Sequence, residues 1–142
     1  MNSFKSLALL ALTTMIFSNS LGGIAMAQDT TNTKAVKVVQ TAGRDRLGDF
    51  APDFARYNDD ILFGEVWSRN DKLGLKERSI VTISSLISMG IVDSSLKYHL
   101  ETAKKNGVTK DEMVEIITQL GFYAGWPKAW AAFNMAKEVY SE

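Results

Sequence analysis

Three polar side chains occupy positions where they could do chemistry. His99 is the single histidine of the chain, and imidazole is the side chain whose charge changes near neutral pH. Glu115 falls in a largely apolar helical pattern, where an unpaired carboxylate is costly to bury. Arg78 begins another helical pattern, and a guanidinium can hold a carboxylate through two parallel hydrogen bonds. Together these residues predict a pocket that binds a small acid and transfers a proton.

Each of these residues also has a purely structural interpretation, which the spacing alone leaves open. His99 could be a boundary residue that is hydrogen-bonded to a neighbour, and Glu115 could make a structural hydrogen bond near the start of its helix. Arg78 could pair with Glu77 or with another acid. Glu65, between a glycine and a valine, is a further candidate carboxylate. No metal site is predicted, because a lone histidine would need carboxylates as all of its co-ligands.

The composition excludes several classes of function. The chain has 142 residues and no cysteine, which excludes disulfides, thiolate metal sites and a cysteine nucleophile. Its 16 basic residues balance 16 acidic ones. Since a surface that binds phosphates normally carries a basic excess, no nucleic-acid partner is expected.

Residues 1–27 have the three-part layout of a secretory signal peptide. A short start carries one positive charge at Lys5, residues 7–17 are apolar, and Ala25-Met26-Ala27 forms a small-x-small cleavage site. The apolar run is shorter than the roughly 20 residues that a membrane-spanning helix needs. We therefore expect cleavage after Ala27 and a periplasmic or secreted protein without membrane attachment; the alternative is a retained membrane anchor.

The rest of the chain divides into a leader and a helical domain. Residues 28–49 show no stable periodicity, which predicts a flexible leader that could turn helical toward its end. Residues 50–142 form the predicted domain, and apolar residues recur there at helical spacing. The helical stretches run from Asp53 to about Arg69, Lys76 to Met89, Asp93 to about Asn106, Met113 to Ala124, and Pro127 to about Tyr140.

Capping signals separate these stretches and favour an all-α fold with short connections. The residues from Lys76 to Met89 include many β-branched side chains, as a strand would, but their number and the following Gly90 favour a helix. Asp93 is suited to cap the next helix, and Thr109 and Glu112 form a capping box before the one after it. The helix from Met113 to Ala124 is apolar nearly all round, so we expect part of it to be buried between subunits.

Five short motifs follow one another along the second half of the chain. They are Phe63-Gly64-Glu65-Val66-Trp67, Leu73-x-x-x-x-Arg78-Ser79, His99-x-x-x-Ala103-x-x-Asn106-Gly107-Val108-Thr109, Glu112-x-x-Glu115-x-x-x-Gln119, and Tyr123-Ala124-Gly125-Trp126-Pro127. This ordered set resembles the carboxymuconolactone decarboxylase family, and the likeness extends from about Phe50 to the C-terminus. It implies the all-helical alkylhydroperoxidase-D-like fold, assembled as trimers or hexamers with active pockets near the subunit contacts.

The family has two chemical branches, which the absence of cysteine separates. The peroxidase branch carries a Cys-x-x-Cys-x-x-x-His motif beyond the glutamate that corresponds to Glu115. The matching positions here are Pro127, Trp130 and Asn134, so that mechanism has no nucleophile. The resemblance therefore implies the decarboxylase branch, which converts 4-carboxymuconolactone into 3-oxoadipate enol-lactone and carbon dioxide without a metal or an organic cofactor.

The resemblance also implies roles for particular residues. We expect Arg78 to hold an anionic group of the substrate, His99 to shuttle a proton, and Glu115 to orient the imidazole or act as its partner acid. The residues expected to contact the substrate are Tyr123, Trp67, Glu65, Gln119 and Trp126.

The sequence supports three possible functions. The first is a decarboxylase for a small lactone acid or oxo acid; since aromatic catabolism by the lactone route is cytosolic and this chain is predicted to be exported, the substrate could differ from 4-carboxymuconolactone. The second is an exported, non-catalytic oligomer that binds a small molecule or a protein. The third is a peroxidase-like activity, which the absence of thiols disfavours.

Overall fold

The described part of the protein, residues 34–141 of a computed structural model, consists of helices and short connections. The predicted signal peptide, residues 1–27, lies outside it. The elements in chain order are α1 (Ala42–Leu47), α2 (Pro52–Arg56), a π-helical segment (Tyr57–Trp67) that continues α2, α3 (Leu75–Met89), α4 (Ser94–Lys105), α5 (Lys110–Ala124) and α6 (Trp126–Tyr140). Residues 34–141 include no β-strand, so the all-α prediction is confirmed. In the same range, no helix combines the length and apolar character needed to cross a bilayer.

Local signals set an end of α3, of α4 and of α5, as predicted. Gly90 ends α3 with a φ of 80°, a left-handed conformation that glycine adopts at little cost. The Asp93 carboxylate accepts the backbone N–H of Ser95 at 2.8 Å in the first turn of α4. Thr109 and Glu112 exchange the two hydrogen bonds of a capping box at the start of α5. The predicted capping box is therefore confirmed. The four long helices lie close to their predicted bounds, except that α5 begins at Lys110, three residues before Met113.

Helices α3 to α6 pack around one apolar core. α3 lies against α4 and α5, and α6 lies against the same two helices. The fully buried side chains at the centre are Ile83, Ile87, Leu96, Leu100, Met113 and Ile117. α6 adds alanines at its buried positions, which permit a close approach of its backbone. This bundle fixes the orientation of α4, the helix that carries His99.

The N-terminal helices form a second cluster, in which α1 packs against both α2 and the π-helical segment. Every fourth residue from Ala55 is buried, namely Ala55, Asp59, Phe63 and Trp67. π-helices, whose hydrogen bonds join residues i and i+5, are rare and frequently occur at functional sites. The π-helical segment is therefore a candidate part of a functional site.

The chain before α1 is attached to the end of the π-helical segment by side-chain hydrogen bonds. The Asn70 side chain accepts the N–H of Val36 at 2.8 Å and donates to its carbonyl oxygen at 2.6 Å. Ser68 Oγ accepts the N–H of Val38 at 2.8 Å. These contacts direct the chain toward α1 and the side of α4.

Four aromatic side chains lie exposed on α5 and α6 and are called the aromatic surface below. They are Phe122, Tyr123, Trp126 and Trp130, and Tyr123 is the most exposed, at 85%. The opposite side of α5 faces the core through Met113, Ile117 and Gly121. The apolar residues predicted around this helix thus form two faces: one packs in the core, and the other belongs to the aromatic surface.

Candidate active site

A cavity of about 520 Å³ lies between the N-terminal helices and α4. Its walls come from the chain before α1, from α1 and α2, from the π-helical segment, and from two consecutive residues of α4. The lining residues are Gln40, Ala42, Gly43, Arg46, Leu47, Phe54, Asn58, Leu62, Phe63, Tyr98 and His99. We call this space the His99 cavity. Its volume falls within the roughly 300–1,000 Å³ of small-molecule sites.

His99 presents a half-buried imidazole to this cavity. Its Nδ1 atom is buried and has no hydrogen-bond partner among the described residues. Burial lowers the pKa of His99 below its ordinary value, because desolvation disfavours the imidazolium. The neighbouring Tyr98 ring meets the imidazole edge-on, with ring centroids 5.2 Å apart. A neutral imidazole that lines a cavity is suited to accept and return a proton.

A buried carboxylate, Asp59, holds α1 in place as one wall of the cavity. Asp59 is 2% exposed, and its two oxygens accept the backbone N–H groups of Gly43 and Arg44 at 2.9 Å each. Burial by itself raises the pKa of Asp59, but hydrogen bonds from Asn58, Arg44 and Gly43 outweigh it and hold the pKa below its usual value. The carboxylate therefore stays charged and fixed to the first turn of α1.

Gly43 permits this arrangement because α1 approaches α2 and the π-helical segment closely. A Cβ atom at position 43 would lie 2.7 Å from Asp59 Oδ1 and 2.8 Å from the Ala55 carbonyl oxygen. The rim of the cavity is fixed by a second contact, since the Gln40 side-chain amide donates to the Tyr98 hydroxyl at 2.9 Å. α1 is thus anchored to the π-helical segment, and the chain just before it to α4.

The structure does not bring Arg78 into the His99 cavity. An Nη2 atom of Arg78 donates to the backbone oxygen of Arg69 at 3.1 Å, and its Nε atom is buried without a hydrogen-bond partner among the described residues. Within residues 34–141 Arg78 forms no ion pair with Glu77 or with another acid, and its guanidinium instead binds a backbone oxygen. The role expected for Arg78 on a substrate anion stays a prediction.

Glu115 is exposed on α5, and it is not among the residues that line the His99 cavity. The expectation of a poorly solvated carboxylate is therefore wrong for the described chain. The physical reason is helical geometry: Met113 and Ile117, two positions to either side, face the core, which turns Glu115 away from it. Its pairing with His99 stays a prediction.

The five residues expected to contact the substrate lie on the π-helical segment, α5 and α6. None of them lines the His99 cavity. Trp67 is buried and packs on Phe63, a residue of the cavity wall, with ring centroids 5.6 Å apart. Glu65 and Gln119 are exposed. Tyr123 and Trp126 belong to the aromatic surface, where Trp126 packs over Gly121 and against the Phe122 ring. Their contacts with a substrate stay predictions.

Four polar residues of the cavity were not identified from the sequence, namely Gln40, Arg46, Asn58 and Tyr98. Gln40 and Arg46 lie in the stretch predicted as a leader, where no periodicity pointed to them. Tyr98 could have been found, because it directly precedes the only histidine. Residues 34–141 contain no cluster of three or more side chains suited to hold a metal ion.

Comparison with known proteins agrees with this architecture. The profile of the carboxymuconolactone decarboxylase family matches residues 52–138, more than half of the chain. The chain is 43% identical over 98 residues to 4-carboxymuconolactone decarboxylase of Acinetobacter baylyi, covering 69% of this chain and 72% of the relative. It is 30% identical over 84 residues to an uncharacterised 15.0 kDa protein of Paracoccus denitrificans, covering 58% of this chain and 62% of that one. The chain therefore belongs to the carboxymuconolactone decarboxylase family.

Proposed function

We propose that this protein is a decarboxylase-like enzyme that acts, without a cofactor, on a small carboxylated lactone or oxo acid of the 4-carboxymuconolactone type. The observation that carries the proposal is the half-buried imidazole of His99, which lines a cavity of about 520 Å³ and whose Nδ1 has no hydrogen-bond partner among the described residues. The similarity to the decarboxylase of Acinetobacter baylyi supports the reaction class.

In the proposed reaction, the bond between a lactone carbon and its carboxylate carbon breaks and carbon dioxide leaves. The electron pair that stays on the lactone carbon is delocalised toward the lactone carbonyl. His99 takes a proton from solvent and passes it to the carbanionic product, which balances the charge. The apolar side chains of Leu47, Phe54 and Leu62 in the cavity wall favour this step, because a charged carboxylate becomes neutral carbon dioxide.

We further propose that the protein is a homo-oligomer, a trimer or a hexamer, in which another copy covers the aromatic surface. Monomers rarely expose large contiguous apolar patches, and here Phe122, Tyr123 and Trp130 are each more than two-thirds exposed. Glu115 is exposed on the same helix, so a second copy that contacts α5 would bury it. In that assembly Glu115 and Tyr123 would reach a His99 cavity from across a subunit contact, as their expected roles require.

Export is also a proposal, and it rests on the composition of residues 1–27. Mass spectrometry of the protein recovered from a periplasmic extract is expected to give a chain that begins at Gln28. A mature protein that retains its N-terminal residues and fractionates with membranes would contradict it.

The activity is tested by incubating purified protein with 4-carboxymuconolactone and following carbon dioxide release. The wild-type protein is expected to turn over, and H99Q is expected to lose at least about 100-fold in kcat, the low end of what one general acid or base contributes. Full turnover by H99Q would contradict the proposal. Saturable binding of the lactone without turnover would favour the non-catalytic scaffold, and consumption of a hydroperoxide with a thiol reductant would favour the peroxidase.

A further inference from the structure

The charges around the His99 cavity are unbalanced. Among the residues that line it, Arg46 is the one permanently cationic side chain, and burial lowers the pKa of His99, the other basic one. The other polar lining residues, Gln40, Asn58 and Tyr98, are uncharged amides and a phenol. No aspartate or glutamate lines the cavity, so its polar part is positive and suited to an anion.

Three acidic residues near α1, namely Asp45, Asp59 and Asp60, are already bound to other groups. Asp59 and Asp60 both pair with Arg44, at 3.4 Å and 2.5 Å. The Asp45 carboxylate accepts the hydroxyl of Thr41 at 2.9 Å. Arg46 itself forms no ion pair within residues 34–141. Two arginines of the same short helix thus differ: Arg44 holds the helix in place, and Arg46 keeps its guanidinium available.

The backbone that carries Arg46 is fixed relative to His99. Gly43, Arg46 and Leu47 all line the cavity, and their spacing of three and four residues places them on one face of α1. Asp59 binds the first turn of that helix through two backbone N–H groups. The backbone at Arg46 is therefore already ordered, which lowers the entropy cost of holding a bound anion.

We propose that Arg46 binds the carboxylate that the substrate keeps, and so takes the anion-binding role that the sequence pattern assigned to Arg78. The inference rests on the proposed function, whose product, an enol-lactone of 3-oxoadipate, still carries one carboxylate after carbon dioxide has left. An ion pair to the departing carboxylate would stabilise the ground state and oppose its loss of charge. Arg46 consequently selects dicarboxylates over lactones that bear only the departing group.

The lone histidine provides a binding assay that does not depend on turnover. In a nitrogen-15 spectrum the imidazole of His99 gives one set of side-chain signals, and adipate, a six-carbon dicarboxylate, serves as the probe. Adipate is expected to shift these signals in a saturable way in the wild-type protein. R46Q is expected to bind adipate at least about 10-fold more weakly, equivalent to about 1.4 kcal/mol, and R46K is expected to recover part of the loss.

Two matched variants separate this site from the general effect of charge. R69Q removes an exposed guanidinium that does not line the His99 cavity, and R78Q removes the guanidinium first expected to bind the anion. R69Q is expected to bind adipate as the wild type does, and R78Q is expected to keep more of the affinity than R46Q does. Equal affinity of R46Q and wild-type protein would overturn the proposal, as would a wild-type protein in which adipate gives no saturable shift, or a loss of binding in R78Q alone.

Kinetics distinguish a failure of this inference from a failure of the proposed function. With 4-carboxymuconolactone, R46Q is expected to raise KM about 10-fold or more while kcat changes little, because the retained carboxylate binds equally in ground and transition states. A wild-type protein that turns over, with unchanged KM in R46Q, would leave the function standing and overturn the role of Arg46. A wild-type protein that does not turn over but binds adipate through Arg46 would overturn the function and leave the anion site.

Discussion

Replacing Gly43 by alanine should displace α1 and damage the His99 cavity. The new Cβ atom would lie 2.7 Å from Asp59 Oδ1, whereas ordinary contact begins at 3.4 Å, and 2.8 Å from the Ala55 carbonyl oxygen. Neither neighbour can move freely, since one belongs to a buried carboxylate with several hydrogen bonds and the other to a helix backbone. α1 must therefore retreat by about 0.7 Å, the difference between the first two distances.

Two opposing effects set the size of the change. Overpacking of this kind costs about 1–3 kcal/mol, while alanine gains up to about 1 kcal/mol over glycine in a helix. The overpacking should prevail, because Gly43 is the second residue of a six-residue helix, where helix propensity counts least. We expect G43A to lose about 1–2 kcal/mol of unfolding free energy, or about 5–10 °C in Tm for a domain of about 100 residues.

The assay combines thermal unfolding by circular dichroism with the adipate titration of the His99 signals. G43A is expected to lose both stability and affinity, because Ala42, Arg46 and Leu47 move with α1. G107A is the control: Gly107 has a φ of 89° with open space around its Cβ position, so alanine there costs about 1–2 kcal/mol of strain away from the cavity. If G43A matched the wild type in both measurements, or if G107A weakened adipate binding as much, the reasoning about α1 would be refuted.

Three further predictions concern helix capping, pH and assembly. T109A should lose about 1 kcal/mol of unfolding free energy in urea titrations, and an unchanged midpoint would contradict the capping box. Because burial lowers the pKa of His99, the unfolded chain binds more protons between the ordinary pKa of about 6.5 and the lower folded value. The unfolding free energy should therefore rise with pH across that window and level off above it, and H99Q should remove this part of the slope; an identical pH dependence in both proteins would refute it. The double variant Y123S/W130S should elute as a smaller species than wild type in size-exclusion chromatography with light scattering, and an unchanged mass would show that the aromatic surface is not the subunit contact.

The long helices could be predicted from the sequence because their signals are local. Asp93, Thr109 and Glu112 act on backbone groups within one turn, and Gly90 acts on the end of its own helix. Helix propensity and capping therefore predict α3, α4 and α5 without knowledge of the rest of the fold.

The site could be predicted only in part, because its geometry depends on contacts between residues distant in the chain. His99 was identified from its type and its place on α4. The wall opposite it depends on Asp59, which binds the N–H groups of residues 15 and 16 positions earlier, and no periodicity reports such a contact. Glu115 was misjudged because the sequence shows how apolar α5 is but cannot tell which of its two apolar faces meets the core of the same chain.

The four-residue spacing of Ala55, Asp59, Phe63 and Trp67 has a consequence for how this helix can run. In a regular α-helix, residues four apart differ by about 40° around the axis. A row of buried residues at this spacing would therefore wind around the helix, and a helix packed against it would have to curve to stay in contact. The wider turns of the π-helical segment oppose that drift and keep the row straighter. The row can then face α1 along more of its length, and deleting a single residue within it would rotate the following part of the row away from its present contacts.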